Sequence, residues 1–147
     1  MRNLLFRGKR TDNGEWICSG NIIHFEDENL VFIPQKHDKC GTTHDEYDNI
    51  LSIQYGTFYK VNPATVGQFT GLIDKNGQKV FEGDMVVSYD LFGSVDACGV
   101  VNWNDLFCAW HIGKNSMYGN RIATYEVIGN IHDSPEPHAT KILTREE

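Results

Sequence analysis

Gly67, Gly71, Gly77 and Gly83 punctuate the segment between Pro63 and Asp84, and this spacing constrains the fold more than any other feature of the chain. An interior glycine costs an α-helix about 1 kcal/mol relative to alanine, so helices are poor solutions here and short strands joined by tight turns are good ones. Asp74-Lys75-Asn76-Gly77 reads as a hairpin turn joining Gln68–Leu72 to Lys79–Phe81, because such a turn needs residues that tolerate positive φ. In Glu82-Gly83-Asp84-Met85-Val86-Val87, Gly83 can take the turn, Asp84 can accept a backbone N–H at the strand entrance, and the apolar residues then enter the core.

The same punctuation runs on both sides. Upstream, Leu4–Arg7 and Glu15–Ile23 flank Thr11-Asp12-Asn13-Gly14, a second hairpin signal that places Trp16 and Cys18 on one face and Ile17 on the other. Leu30–Ile33, closed by Pro34, adds a third strand to a small meander. Residues 35–49 are polar and lack apolar periodicity, which reads as a surface loop within an N-terminal region of residues 1–62. A strand pair or bulged strand is expected around Ile50–Val61.

Downstream, Met85–Tyr89, Gly99–Trp103, Leu106–Ile112 and Tyr125–Ile131 are short runs at the spacing of a small barrel or sandwich, with loops at Asn102–Asp105 and Gly113–Asn120. Gly129 within Val127–Ile131 suits a bulge where a strand must bend. The expected class is therefore mainly β. An N-terminal hairpin or meander precedes a second region over residues 63–137, and residues 138–147 form a tail.

Composition narrows the function. The formal net charge of −7 opposes non-specific attraction to nucleic-acid phosphates, which depends on Lys and Arg. Only Arg2, Arg7, Lys9 and Arg10 are concentrated enough to offset it locally, and a solvated strand face explains them as well. No run approaches the roughly 18 apolar residues of a membrane-spanning helix, and no signal peptide is read at the start. Cys18, Cys40, Cys98 and Cys108 are scattered without a Cys-x-x-Cys pair, as expected of free thiols in a cytoplasmic protein.

Several separated blocks carry a family likeness: Phe6-Arg7-Gly8-Lys9-Arg10 with Gly14-Glu15-Trp16 and Gly20, Pro63 through Leu72, Asp74–Gly77, Phe81–Asp84, and Tyr125–Ile131 with Pro135-Glu136. In this order they resemble the YopX-like family of bacteriophage and prophage proteins over residues 6 to 137. The resemblance implies a phage or prophage origin and a C-terminal half similar to an SH3-like β-barrel. It implies no activity.

Catalytic patterns are weak throughout. His37, Cys40, His44 and Asp45, with His24 upstream, are the best candidate metal ligands, since imidazole and thiolate suit zinc. A single cysteine in a polar loop favours a solvated loop over a metal site. There is no Gly-x-Ser-x-Gly elbow, Gly67–Gly71 lacks the Lys-Ser/Thr ending of a P-loop, and no dinucleotide fingerprint follows a strand. His111, between Trp110 and Ile112, reads as a hydrogen-bonded structural histidine rather than a general base. His132 and Asp133 are neighbours that a strand would point to opposite faces.

No catalytic residue and no cofactor is therefore expected. Of the C-terminal aromatics Trp103, Phe107, Trp110, Tyr118 and Tyr125, which core and sheet packing would explain first, Trp103, Trp110 and Tyr118 are the candidate contacts for a partner, because a barrel can expose aromatics as a platform for peptide or single-stranded nucleic acid. The favoured expectation is a non-enzymatic accessory protein that binds a phage or host protein in the bacterial cytoplasm. Two alternatives stand beside it: a nucleic-acid module using the N-terminal cations with exposed aromatics, and a metal-dependent enzyme built on His37, Cys40 and His44.

Overall fold

The structure is a computed structural model describing residues 4–34, 58–117 and 124–133. Among these residues all regular structure is antiparallel β, in three sheets, apart from two single-turn 3-10 segments at Glu26–Glu28 and Pro63–Thr65. The chain divides into two units after Gln68.

In the first unit, β1 (Phe6–Lys9) pairs with β2 (Trp16–Ser19), and β3 (Ile23–Phe25) pairs with β4 (Leu30–Pro34), which also pairs with β5 (Phe58–Val61). The first hairpin closes where expected, with Arg10 N–H donating to Glu15 O and Gly14 N–H to Arg10 O. Val31, Ile33 and Val61 form a small core, with Ile17, Ile22 and Val66 packed against it. Gly8 has a packing reason: a Cβ there would lie 3.0 Å from the Val61 side chain. Asn62 caps the Pro63 turn by accepting the Ala64 N–H, and the Thr65 hydroxyl accepts the N–H of Lys9 at 2.9 Å. The chain then enters β6 (Gly67–Ile73), whose first two residues pair with β1.

In the second unit, the rest of β6 pairs with β7 (Lys79–Phe81) through the turn expected at Asp74–Gly77. A five-stranded sheet follows, built from β8 (Asp84–Tyr89), β9 (Val95–Asn104), β10 (Ala109–Ile112), β11 (Asn115–Ser116) and β12 (Thr124–Asn130), in the order β11-β10-β9-β8-β12. Among the described residues it is an open sheet, with β11 and β12 at its two edges. One face supplies the core: Val86, Val101, Trp110, Ile112, Met117 and Tyr125, together with Val80. The register of β12 shifts between Val127 and Gly129, where the bulge was expected.

Two aspartates organise the turns. Asp74 is buried, and its carboxylate accepts the N–H groups of Asn76 and Gln78 at 2.8 Å and of Val127 at 3.0 Å. Burial pushes this carboxyl up, but the three N–H groups, aided by Lys75, outweigh that and hold it below the ordinary carboxylate range. Asp84 accepts the Phe81 N–H at 2.7 Å, and Gly83 between them takes φ +86°.

Several element boundaries differ from expectation. The return strand expected over Glu15–Ile23 is split into β2 and β3, which lie in different sheets, so Leu30–Ile33 does not complete a meander with the first hairpin. The strand expected from Gly99 begins at Val95. Asn102, His111's partner across the ladder, and Asn104 belong to β9 rather than to a loop, and Leu106 and Phe107 form the β9–β10 turn rather than the start of a strand. The reason is Cys108, which adopts the left-handed conformation at φ +48° and lets the chain reverse there. The polar loop, the segment from Ile50 to Thr57 and the C-terminal tail lie outside the described residues.

Gly83→Val should lower stability by about 1–3 kcal/mol, since a β-branched residue is strained at that φ and its Cβ would meet the His132 ring at 3.2 Å. Thermal melting checks this. Asp74→Ala should cost about 1–3 kcal/mol at neutral pH by orphaning buried N–H groups. Because the folded-state pKa is depressed, the Asp74 contribution is present above the unfolded value and is lost as pH falls through the folded one. The wild type should therefore lose stability in acid more steeply than Asp74→Ala, as denaturant titrations at a series of pH values would show.

Candidate functional site

The β9–β10 hairpin gathers more aromatic and apolar side chains than its own turn requires. Trp103 and Trp110 face each other across the ladder and pack edge to face, with ring centroids 5.1 Å apart. Trp110 is only 2% exposed and belongs to the core, whereas Trp103 is 40% exposed. At the tip, Leu106 is 84% and Phe107 66% exposed. Of the expected contact residues, then, Trp103 is open to a partner and Trp110 is not, while Tyr118 lies outside the described residues.

Phe107 does not hang free. Its ring stacks on that of His111 at 5.6 Å between centroids and 19° between planes. His111 is buried, and neither ring nitrogen finds a hydrogen-bond partner among the described residues, which departs from the hydrogen-bonded histidine expected. The indole N–H of Trp110 is likewise unpartnered. Such groups cost about 1–3 kcal/mol each, which the β9–β10 ladder and the aromatic packing around them offset. Phe107 was among the aromatics that a barrel could expose, but Leu106 was missed because the apolar run from Leu106 to Ile112 reads as strand; the missing signal was Asn104, whose side chain accepts the Phe107 N–H at 3.1 Å and closes the turn.

The other candidates are consumed by the fold. The Arg7 guanidinium sits 4.6 Å over the Trp16 ring with Lys9 beside it at 5.6 Å, and Arg7 is buried. Arg10 lies 3.7 Å over Tyr59 and forms ion pairs with Asp12 and Glu15. Arg7, Lys9 and Arg10 thus meet aromatics, but as packing within the first unit, and Arg2 lies outside the described residues. Lys75, Glu126 and Tyr89 make a second cluster: Glu126 accepts from Lys75 at 2.8 Å and from Tyr89 at 2.7 Å. Lys75, then Tyr89, hold the Glu126 carboxyl below its ordinary range, and that same hydrogen bond pushes the Tyr89 phenol up.

Among the described residues no group of three metal-ligating side chains converges, and His37, Cys40 and His44 lie outside them. Cys98 and Cys108 are exposed free thiols. No described helix is long and apolar enough to cross a membrane.

These features define a β-sheet protein with an aromatic hairpin and, among its described residues, no cluster of metal-ligating side chains. The family model described as YopX protein matches residues 5–137, and the chain belongs to that family. A crystal structure of protein EF1440 from Enterococcus faecalis is similar at 22% identity, covering 90% of this chain and 96% of that one, with a TM-score of 0.48. No curated protein matches the chain significantly.

If His111 serves packing alone, His111→Phe should match or exceed wild-type stability, because it removes two unpartnered ring nitrogens and keeps the stack on Phe107. His111→Ala should lose about 2–4 kcal/mol through the cavity. Paired chemical denaturation curves would decide, and a Phe variant less stable than wild type would mean that the imidazole nitrogens are bonded after all.

Proposed function

We propose that the chain is a non-enzymatic accessory protein of phage or prophage origin that binds a protein partner in the bacterial cytoplasm through the β9–β10 tip. The observation that carries this reading is the exposure of Leu106 and Phe107 beside half-open Trp103, on a tip whose aromatic ring is already held in place by His111. Apolar side chains anchored before binding lose little conformational freedom on docking, which is how small anchors yield useful affinity.

An SH3-like arrangement of the second unit fits the same reading. The ten residues of β9 change neighbours midway, pairing with β8 up to Val100 and with β10 from Val101. A strand shared in this way curves strongly, as in small barrels, and puts its hairpin tips forward as binding loops. A nucleic-acid role is less well supported, because Arg7 and Arg10 are engaged with Trp16, Tyr59 and acidic neighbours.

Affinity capture from the protein's native cells, with wild type beside Leu106→Ser/Phe107→Ser, tests this. A discrete protein should be retained by wild type and fall about tenfold or more with the variant, with capture carried out well below the melting temperature of both chains because losing the Phe107–His111 stack costs the variant some stability. Equal retention by the two would sink the reading. Capture abolished by nuclease would transfer it to nucleic acid.

A further inference from the structure

The β9–β10 tip has a counterpart at the other end of the same strand. The β8–β9 turn reads Asp90-Leu91-Phe92-Gly93 and the β9–β10 turn Asp105-Leu106-Phe107-Cys108. In each, Asp-Leu-Phe precedes a residue in the left-handed conformation, Gly93 at φ +79° and Cys108 at φ +48°. Leu91 is 68% and Phe92 92% exposed, so both copies of the tripeptide hold their apolar residues in solvent.

Turn formation does not account for these residues. The Asp74–Gln78 turn has the same hydrogen bonds as Asp90–Ser94: the aspartate carboxylate accepts from the second and fourth residues after it, its own N–H donates to the fourth, and the glycine N–H returns to the aspartate carbonyl. In that turn the positions of Leu91 and Phe92 hold Lys75 and Asn76. The β9–β10 turn is held differently, by Asn104 accepting the Phe107 N–H. One tripeptide thus appears on two differently bonded turns, and one turn type appears with two different tips. Local geometry therefore does not explain why Leu-Phe recurs.

Resting on the partner-binding reading above, we infer that Leu91-Phe92 is a second docking prong of the same chemistry as Leu106-Phe107, and that one chain bridges two copies of a single partner protein. The prongs sit on the turns at opposite ends of the ten-residue β9, a contour of about 33 Å that its curvature shortens. With the whole strand between them, they meet separate pockets. Each is preceded by an aspartate in a chain of net charge −7, so the matching site is an apolar pocket with Lys or Arg at its rim. Two weak contacts joined on one rigid strand gain avidity of about 10²–10⁴-fold over either alone when the partner is itself oligomeric.

The test places the photo-crosslinking residue p-benzoylphenylalanine at Phe92, at Phe107, or at both in the full chain, followed by irradiation in native cells and mass spectrometry of the adducts. Melting curves should first show that all three chains keep wild-type stability. The expected result is the same partner protein joined from either position, and a heavier species carrying two copies from the doubly labelled chain. An adduct from Phe107 alone would overturn the bridging inference and leave the β9–β10 docking reading standing. Different proteins at the two positions, adducts only with lipid, or adducts only with another copy of this chain would also overturn it. Adducts from neither position would overturn both.

Discussion

The buried carboxylate of Asp74 is the interaction on which the second unit depends. Its three accepted N–H bonds join a turn to a distant strand, since two come from the turn itself and the third from Val127 in β12. Lys75 N–H adds a bond to Tyr125 O at 2.8 Å on the same strand. The outward side of β12 would otherwise present unpaired backbone at a sheet edge, a liability that proteins manage by covering it. Here the β6–β7 turn provides the cover, and Glu126 on that strand then meets Lys75 and Tyr89.

With β12 held in place, the remaining strands have a register to follow. Gly83 donates its N–H to Val101 and accepts one from Ile131, so its left-handed turn is tied to β9 and to the end of β12 together. Val86, Val101, Trp110 and Ile112 are thereby aligned on one face and close the core. The two ends of β9 take no part in that core. Their turns carry Leu and Phe into solvent, and this division between a tied centre and open tips is the physical basis for placing function at the tips.

Much of the architecture was legible in local chemistry. Glycine spacing excluded long helices, and Asn13-Gly14, Asn76-Gly77 and Gly83-Asp84 marked reversals because their residues tolerate positive φ or supply a nearby acceptor. Gly129 marked a bulge for the same kind of reason. The β9–β10 turn was not legible, because a cysteine at φ +48° carries no turn preference of its own and an apolar run with Trp110 inside it reads as continuous strand. The expected partner residues divided along the same line: the β9–β10 register sets Trp103 opposite Trp110, and packing buries the second and leaves the first half-open, neither of which the sequence shows.

By itself the amino-acid sequence determined the β class, the main reversals and the family, since each of these depends on residue type and near neighbours. Tertiary structure alone decided that Asp74 reaches Val127, that His111 is buried with its nitrogens unpartnered while supporting Phe107, and that Arg7 and Arg10 are taken up by Trp16 and Tyr59. The physical reason is separation along the chain. Burial and long-range hydrogen bonds depend on which segments meet, and a one-residue change of register would exchange every buried side chain of a strand for its exposed neighbour.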